Sequence, residues 1–312
     1  MSAPGGQGTG LRRVFLTPGE NRLRSGFRLL GQLLLLGFFL GLFSCSIGIA
    51  IFLFGQRSEQ TIFILSQSVA LPAVTLSVYL ARRWLDRRSF ASLGLHLNRW
   101  ALWDLLIGFG IAGVMIALVF LIEWAAGWLS FEWFAWKNEM PARAAGGILI
   151  MLAVFLSVGW YEELLDRGYW LQNLEEGLNL FWAVLISSCF FAVGHLANPN
   201  VSVTAILGLI LAGVFLGYGY TSTRQLWLPI GLHTGWNFFE GTVFGFPVSG
   251  MADFPSLIHI TVKGPILLTG GAFGPEAGLV ILPALGLGAL LVYLYTKRRL
   301  QISSSSMADL TG

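Results

Sequence analysis

The sequence predicts an all-α, polytopic membrane protein with about eight transmembrane helices in one helical bundle, and three observations carry that prediction. Of its 312 residues, 55% are hydrophobic and only 11% are charged, whereas a soluble domain carries about 25% charge to face water. The mean hydropathy is +0.71. Apolar runs long enough to cross a bilayer, about 20 residues each, recur from residue 29 to residue 296. So few polar groups cannot cover a water-facing globule of this size. That excludes a cytosolic enzyme, a secreted disulfide scaffold and a disordered chain. The net charge of +3 asks for no nucleic-acid partner, because basic flanks orient membrane proteins.

Taken in order, the spans are expected near 29–54, 60–81, 102–126, 144–165, 180–197, 201–220, 226–246 and 275–296. Residues 1–28, with Arg12, Arg13, Arg22, Arg24 and Arg28 among Gly, Ser and Pro, read as a disordered basic tail. Residues 301–312 read as a second, Ser-rich disordered tail. The first span is expected to stay uncleaved, since a signal peptide has a shorter apolar core and a small-residue cleavage site. Orientation follows from the basic residues. An inside N-terminus puts the tail arginines, Arg82, Arg83, Arg87, Arg88, Arg99, Arg167, Arg224, Lys297, Arg298 and Arg299 on the cytoplasmic side. Only Arg57, Lys137, Arg143 and Lys263 fall opposite. The rule that positive charge stays inside then predicts both termini inside. Trp128, Trp133 and Trp136 are expected at the outer interface. Cys45 and Cys189 have neither metal-ligand nor redox spacing and read as small hydrophobes.

Polar residues at membrane depth are costly and mark function. Asp104 and Glu123 lie near the ends of the third span and are expected to reach an interface, while Glu240 fits an interfacial and a functional reading equally. His96 and His259 fall in loops. What remains is concentrated: Glu162, Glu163, Asp166 and Arg167 in one segment, His195 in the next, and His233 with Asn237 further on. As helix, Glu163 and Arg167 are i,i+4 with the acid first, the favourable order for an ion pair. Glu162 is rotated about 100° from Glu163 and is left free to act elsewhere. Asp166 stands four residues after Glu162, where two like charges perturb each other's proton affinity. The fourth helix should continue past the membrane through 168–176 and turn at Gly177. At 1.5 Å per residue, Glu162 and His195 then lie roughly 22 and 27 Å from the turn, on antiparallel neighbours. Asn237 shares a helix face with His233.

Such a set suits hydrolysis of a polar bond. Glu162 can act as general base on water with His195 positioning it, and His233 with Asn237 can donate to a developing oxyanion. Equally, Glu162, His195 and His233 could form a His2Glu site for a divalent metal, zinc in the first instance. The sequence has no H-E-x-x-H and no G-x-S-x-G.

Glu162-Glu163-x-x-x-Arg167, Phe191-x-x-x-His195 and His233-x-x-x-Asn237, in that order on separate helices, resemble the three motifs of the CAAX protease and bacteriocin-processing (CPBP) family, which includes the Rce1-type prenyl-protein proteases. The resemblance covers roughly residues 145–240. It implies an Rce1-like helical bundle with a catalytic core over 144–300, preceded by N-terminal transmembrane helices over 29–143. The implied activity is that of an intramembrane endopeptidase cutting near the cytoplasmic face. It gives Glu162 the role of base, His195 that of its assistant, His233 and Asn237 the oxyanion, and Glu163 and Arg167 supporting roles. The family carries the label metalloprotease, yet a metal-free glutamate mechanism has been argued for it. The implied partners are a peptide or protein substrate, prenylated in the eukaryotic precedent, and membrane lipids. By tendency of the family, the membrane is the plasma membrane of a bacterium or archaeon. Asp166 departs from the pattern, which usually has an aromatic residue before the motif arginine.

Two other readings compete. A non-catalytic scaffold or immunity-type protein would keep the same polar cluster for helix packing. A transporter would use Thr269-Gly270-Gly271-Ala272-Phe273-Gly274-Pro275-Glu276 as a broken helix, although an outer loop entering the last span is the simpler expectation for that stretch.

Overall fold

The computed structural model describes residues 14–17, 19–20, 22–55, 59–137, 140–252 and 254–311. Arg12, Arg13 and most of the expected N-terminal tail lie outside these residues, as do Arg57 and Gly312. The elements are α1 (Ser25–Phe54), α2 (Glu59–Leu80), α3 (Ala101–Ala125), β1 (Leu129–Phe134), α4 (Pro141–Glu163), α5 (Leu171–Gly177), α6 (Leu180–Gly194), α7 (Val203–Thr223), α8 (Trp227–Asn237), β2 (Ile258–Val262) and α9 (Ile281–Thr311). A π-helical stretch, Leu164–Trp170, joins α4 to α5, and another, Phe238–Val243, extends α8.

The architecture is that of an all-α polytopic membrane protein. Five helical stretches among the described residues are long and apolar enough to cross a membrane: Ser25–Ile49, Thr61–Leu85, Ala101–Ala125, Pro141–Gly177 and Val203–Thr223. Three of the eight expected spans fall outside this set. Of the other three expected spans, α6 is apolar but only 15 residues long. The seventh is split between α8 and a π-helical stretch, and the eighth starts at Ile281 because Pro275–Ala277 forms a separate 3-10 turn.

Local chemistry sets several boundaries. Pro141 opens α4 at a position where its missing N–H costs nothing. The Asn179 side chain accepts from the Trp182 N–H at 3.1 Å and starts α6. Ser202 does the same for α7 through the Ala205 N–H. The turn after Gly177 and the restart at Leu180 fall where the sequence puts them.

Three further features of the fold go beyond the sequence reading. The connections after α3 and before α9 form an antiparallel two-stranded sheet, with Leu129 opposite Val262 and Phe134 opposite Ile258. The alternation of Ser130 and Glu132 with apolar neighbours signalled it, but it is short and sits among apolar runs. The helix α1 begins at Ser25, so Arg28 belongs to the bundle and not to a tail. At the other end, α9 runs on to Thr311, through most of the stretch expected to be disordered.

The helix α8 sits between α3 and α4 because glycines let the backbones touch. A Cβ on Gly231 would lie 2.1 Å from the Leu105 carbonyl oxygen, and one on Gly159 would lie 2.4 Å from Thr234 Oγ1. Small residues at such crossings replace the hydrophobic drive that lipid cannot supply.

At the α5 end of the molecule, Asp86 accepts from Arg28 at 3.0 Å and from Arg82 at 2.8 Å, with all three side chains 2% exposed or less. Glu176 accepts a second bond from Arg28 at 2.7 Å. Trp170 Nε1–H donates to Gln32 at 2.8 Å. These contacts bolt α1 and α2 to the segment that carries the acidic motif. Replacing Asp86 by Asn leaves two buried guanidiniums short of a counter-charge. A loss of about 3 kcal/mol is expected, read as a lower thermal transition in detergent.

Candidate active site

Glu162 and Glu163 end α4, where the backbone widens into the π-helical stretch that carries Asp166 and Arg167. Single π insertions of this kind recur at functional sites because they re-aim side chains. The expected i,i+4 ion pair is present, with Arg167 Nη1 donating to Glu163 Oε1 at 2.8 Å. A second guanidinium N–H reaches the Gly213 carbonyl on α7 at 2.9 Å, and the guanidinium carbon lies 4.8 Å from the centre of the Phe191 ring on α6. Glu163 has a further partner that the sequence does not announce. His233 Nδ1, on α8, lies 2.8 Å from the same Oε1. With Arg167 holding Glu163 as the carboxylate, the imidazole is the donor in that bond.

The other nitrogen of His233, Nε2, is 3.6 Å from Glu162 Oε2. The two neighbouring carboxylates are thereby differentiated. Glu163 is fully buried and fixed by Arg167 and His233, while Glu162 keeps 20% of its side chain exposed. Its Oε2 is shielded and has no hydrogen-bond partner.

His195 is the C-cap of α6, one residue beyond the helix that was expected to run to 197. Its Nδ1 bonds the Phe191 carbonyl oxygen at 2.8 Å. A carbonyl only accepts, so Nδ1 carries the proton and Nε2 is free to act. Phe191 stands between the two histidines, 4.9 Å from the His195 ring centre and 5.8 Å from that of His233.

Glu162, His195, His233 and Asn237 all line one cavity of about 550 Å³. Asp166 lines it too and is only 7% exposed, so it is an interior residue facing the same space and not a cytoplasmic one. Glu163 and Arg167 lie behind the wall.

A metal in this cavity would draw on Glu162, His195 and His233. Among the described residues, no group of three His, Cys, Asp or Glu side chains is arranged to hold one ion. His233 Nδ1 is given to Glu163 and His195 Nδ1 to a carbonyl, which leaves Nε2 of each ring as the nitrogen available to a ligand.

Other polar residues at depth divide differently from expectation. Asp104 does not reach an interface; it is fully buried, accepting from Tyr295 at 2.6 Å and pairing Arg299 at 3.1 Å, which joins α3 to α9. Glu123 is also fully buried, and neither of its oxygens has a hydrogen-bond partner. Both acids lie on the face of α3 that packs against the bundle, which denies them the water that the sequence offered. His259 lies in β2, its ring stacked on Trp133 at 5.2 Å.

Three cavity residues escaped the sequence reading: Asn198, Ser249 and Glu276. Glu276 Oε1 accepts from the Ser249 N–H at 3.2 Å and from its hydroxyl at 3.0 Å. Asn198 donates to the Ser249 carbonyl at 2.8 Å. Ser249 has φ 47°, a left-handed conformation that non-glycine residues rarely adopt, and these bonds hold it there. The available signal was an isolated acid in Gly274-Pro275-Glu276-Ala277, among otherwise apolar residues. The Gly-rich stretch that suggested a broken transporter helix is instead a helical turn, a loop and a 3-10 turn. It brings Glu276 to the cavity.

Residues 144–239 match the family model of the Rce1-like type II CAAX prenyl endopeptidases. The matched segment runs from α4 to the end of α8 and contains all three motifs. This part of the chain is similar to that family. No curated protein matches the chain.

Because Arg167 is the one guanidinium bonded to Glu163 among the described residues, Arg167→Ala should strand a buried carboxylate and cost about 3 kcal/mol. Arg167→Lys should recover only part of the loss, because an ammonium cannot span Glu163 and the Gly213 carbonyl as a fork does. Thermal unfolding of the two variants in detergent checks the order.

Proposed function

We propose that the protein is an intramembrane endopeptidase that hydrolyses a peptide bond near the cytoplasmic membrane face. The observation that carries this reading is the gathering of Glu162, His195, His233 and Asn237 around one cavity, with the unpartnered Glu162 Oε2 at 3.6 Å from His233 Nε2.

In this reading Glu162 accepts a proton from a water molecule as the oxygen attacks the scissile carbonyl carbon. His195 contributes its free Nε2 as an acceptor that orients the same water. The carbonyl oxygen gains negative charge, which Asn237 Nδ2–H meets directly. His233 can meet it from Nε2–H when the ring carries both protons, since Nδ1–H is spent on Glu163. Collapse of the intermediate breaks the C–N bond, and the proton held by Glu162 passes to the leaving amine. Glu163 and Arg167 act through His233, fixing the plane of its ring.

The cytoplasmic placement rests on the arginine bias, which puts the α5–α6 turn and the Arg82–Arg88 segment inside together with the N-terminus. Ion pairs between Glu176 and Arg28, and between Glu175 and Arg224 at 2.8 Å, gather that basic side into one face of the molecule.

Glu162→Ala should abolish cleavage, by about 10³-fold or more, while the variant still inserts and keeps its thermal transition. A full-strength biological effect from that variant would favour the scaffold reading instead. Asn237→Ala should lower kcat by about 10²-fold and leave KM nearly unchanged, because its donor is needed only as charge develops. Both are measured on purified protein reconstituted in vesicles with a quenched fluorescent peptide.

A further inference from the structure

Glu162, Glu163 and Arg167 each have a duty in the reaction, whereas Asp166, in the same segment, has none. It stands four residues after Glu162, so the π-helical stretch sets a second carboxyl about one helical turn from the first. Both line the cavity, and Asp166 is only 7% exposed. The charged and titratable groups around it are Arg167, Glu163, Glu162 and His233. Arg167 is bonded to Glu163 and to the Gly213 carbonyl, and His233 gives its Nδ1 to the same Glu163. Among the described residues, no cation is bonded to Asp166.

An enclosed carboxyl without a bonded cation keeps its proton, because the anion would be neither hydrated nor paired. Glu162 is in a different position. Its side chain is 20% exposed and its Oε2 faces His233 Nε2 at 3.6 Å. Two carboxyls in opposed surroundings on one wall are the arrangement that separates a base from an acid.

Amide hydrolysis needs both. Water must lose a proton to attack, and the nitrogen must gain one to leave. The other proton carriers on the wall are less well placed to give that second proton. His195 offers Nε2 as an acceptor, its Nδ1 proton being spent on the Phe191 carbonyl. Glu276 comes from the 3-10 turn before α9, and its Oε1 holds Ser249.

We propose that Asp166 is a further catalytic residue, the donor that protonates the leaving nitrogen. The assignment rests on the peptidase reading. As the C–N bond breaks, its electron pair stays on nitrogen and takes the Asp166 proton, which leaves a free amine and an Asp166 carboxylate. The carbonyl carbon keeps the water oxygen and becomes the product carboxyl group. Glu162, which took a proton from that water, then returns it to Asp166 through the cavity. Both side chains end as they began.

The test compares two probes on the full-length protein reconstituted in vesicles. One is a quenched apolar octapeptide, cut at a peptide bond. The other is the 4-nitrophenyl ester of an N-acetylated apolar tripeptide, whose phenolate leaves without a proton. Asp166→Asn should lower kcat for the octapeptide by about 100-fold or more at nearly unchanged KM, and hold ester hydrolysis within about 3-fold of wild type. Asp166→Glu should regain part of the peptide cleavage, and Glu162→Ala should lose both reactions. If the asparagine variant does not fold, Asp166→Leu, which buries no polar group, takes its place. A merely structural Asp166 would lose the two reactions together. Equal loss on both probes, or undiminished peptide cleavage, overturns the assignment and leaves the peptidase reading standing. No cleavage of the octapeptide by wild type overturns both.

Discussion

One carboxylate, that of Glu163, holds the motif helices in register. Its Oε1 receives both Arg167 and His233 at 2.8 Å, so α4 and the π-helical stretch after it are tied to α8 through a single atom. Arg167 extends the tie to α7 through the Gly213 carbonyl and to α6 through the face of Phe191. In a lipid-surrounded bundle, apolar side chains distinguish poorly between one helix rotation and another. A buried charge that must be matched distinguishes strongly. Loss of this node would leave four helical segments free to choose their own azimuth.

The same node explains how two adjacent glutamates acquire different duties. Helical geometry turns Glu162 about 100° away from Glu163, and the surrounding helices do the rest. Glu163 is enclosed and fixed through its Oε1 by Arg167 and His233, whereas Glu162 borders the cavity. Glycines at the α8 crossings make this possible, because a side chain at Gly231 or Gly159 would push His233 away from the acidic pair. Backbone proximity and charge pairing are therefore two halves of one device.

Around that device the cavity combines apolar walls with an acidic lining. A hydrolase cutting inside a membrane needs both properties: a surface that accepts an apolar peptide and enough polarity to admit water. Ser249, held in a left-handed turn by Glu276 and Asn198, closes the polar end. Its strain is sustained by three hydrogen bonds from two different segments, as expected where position matters more than local comfort.

The sequence alone determined the lipid-facing composition, the helical class, the turn between α5 and α6 and the Glu163–Arg167 pair, because each depends on residues close together in the chain or on composition summed over it. It also isolated Glu162, His195, His233 and Asn237, since polar groups stand out where apolar ones are the rule. Tertiary structure alone decided that His233 gives its Nδ1 to Glu163, that Asp104 and Glu123 are interior, that Arg28 is buried against Asp86 and that Glu276 joins the cavity. It also decided which helical stretches among the described residues run unbroken at the length and apolarity of a membrane span. The reason is the same in every case. These facts depend on which faces of distant helices meet, and in a nearly uniform apolar sequence the rotation of a helix leaves almost no periodic trace.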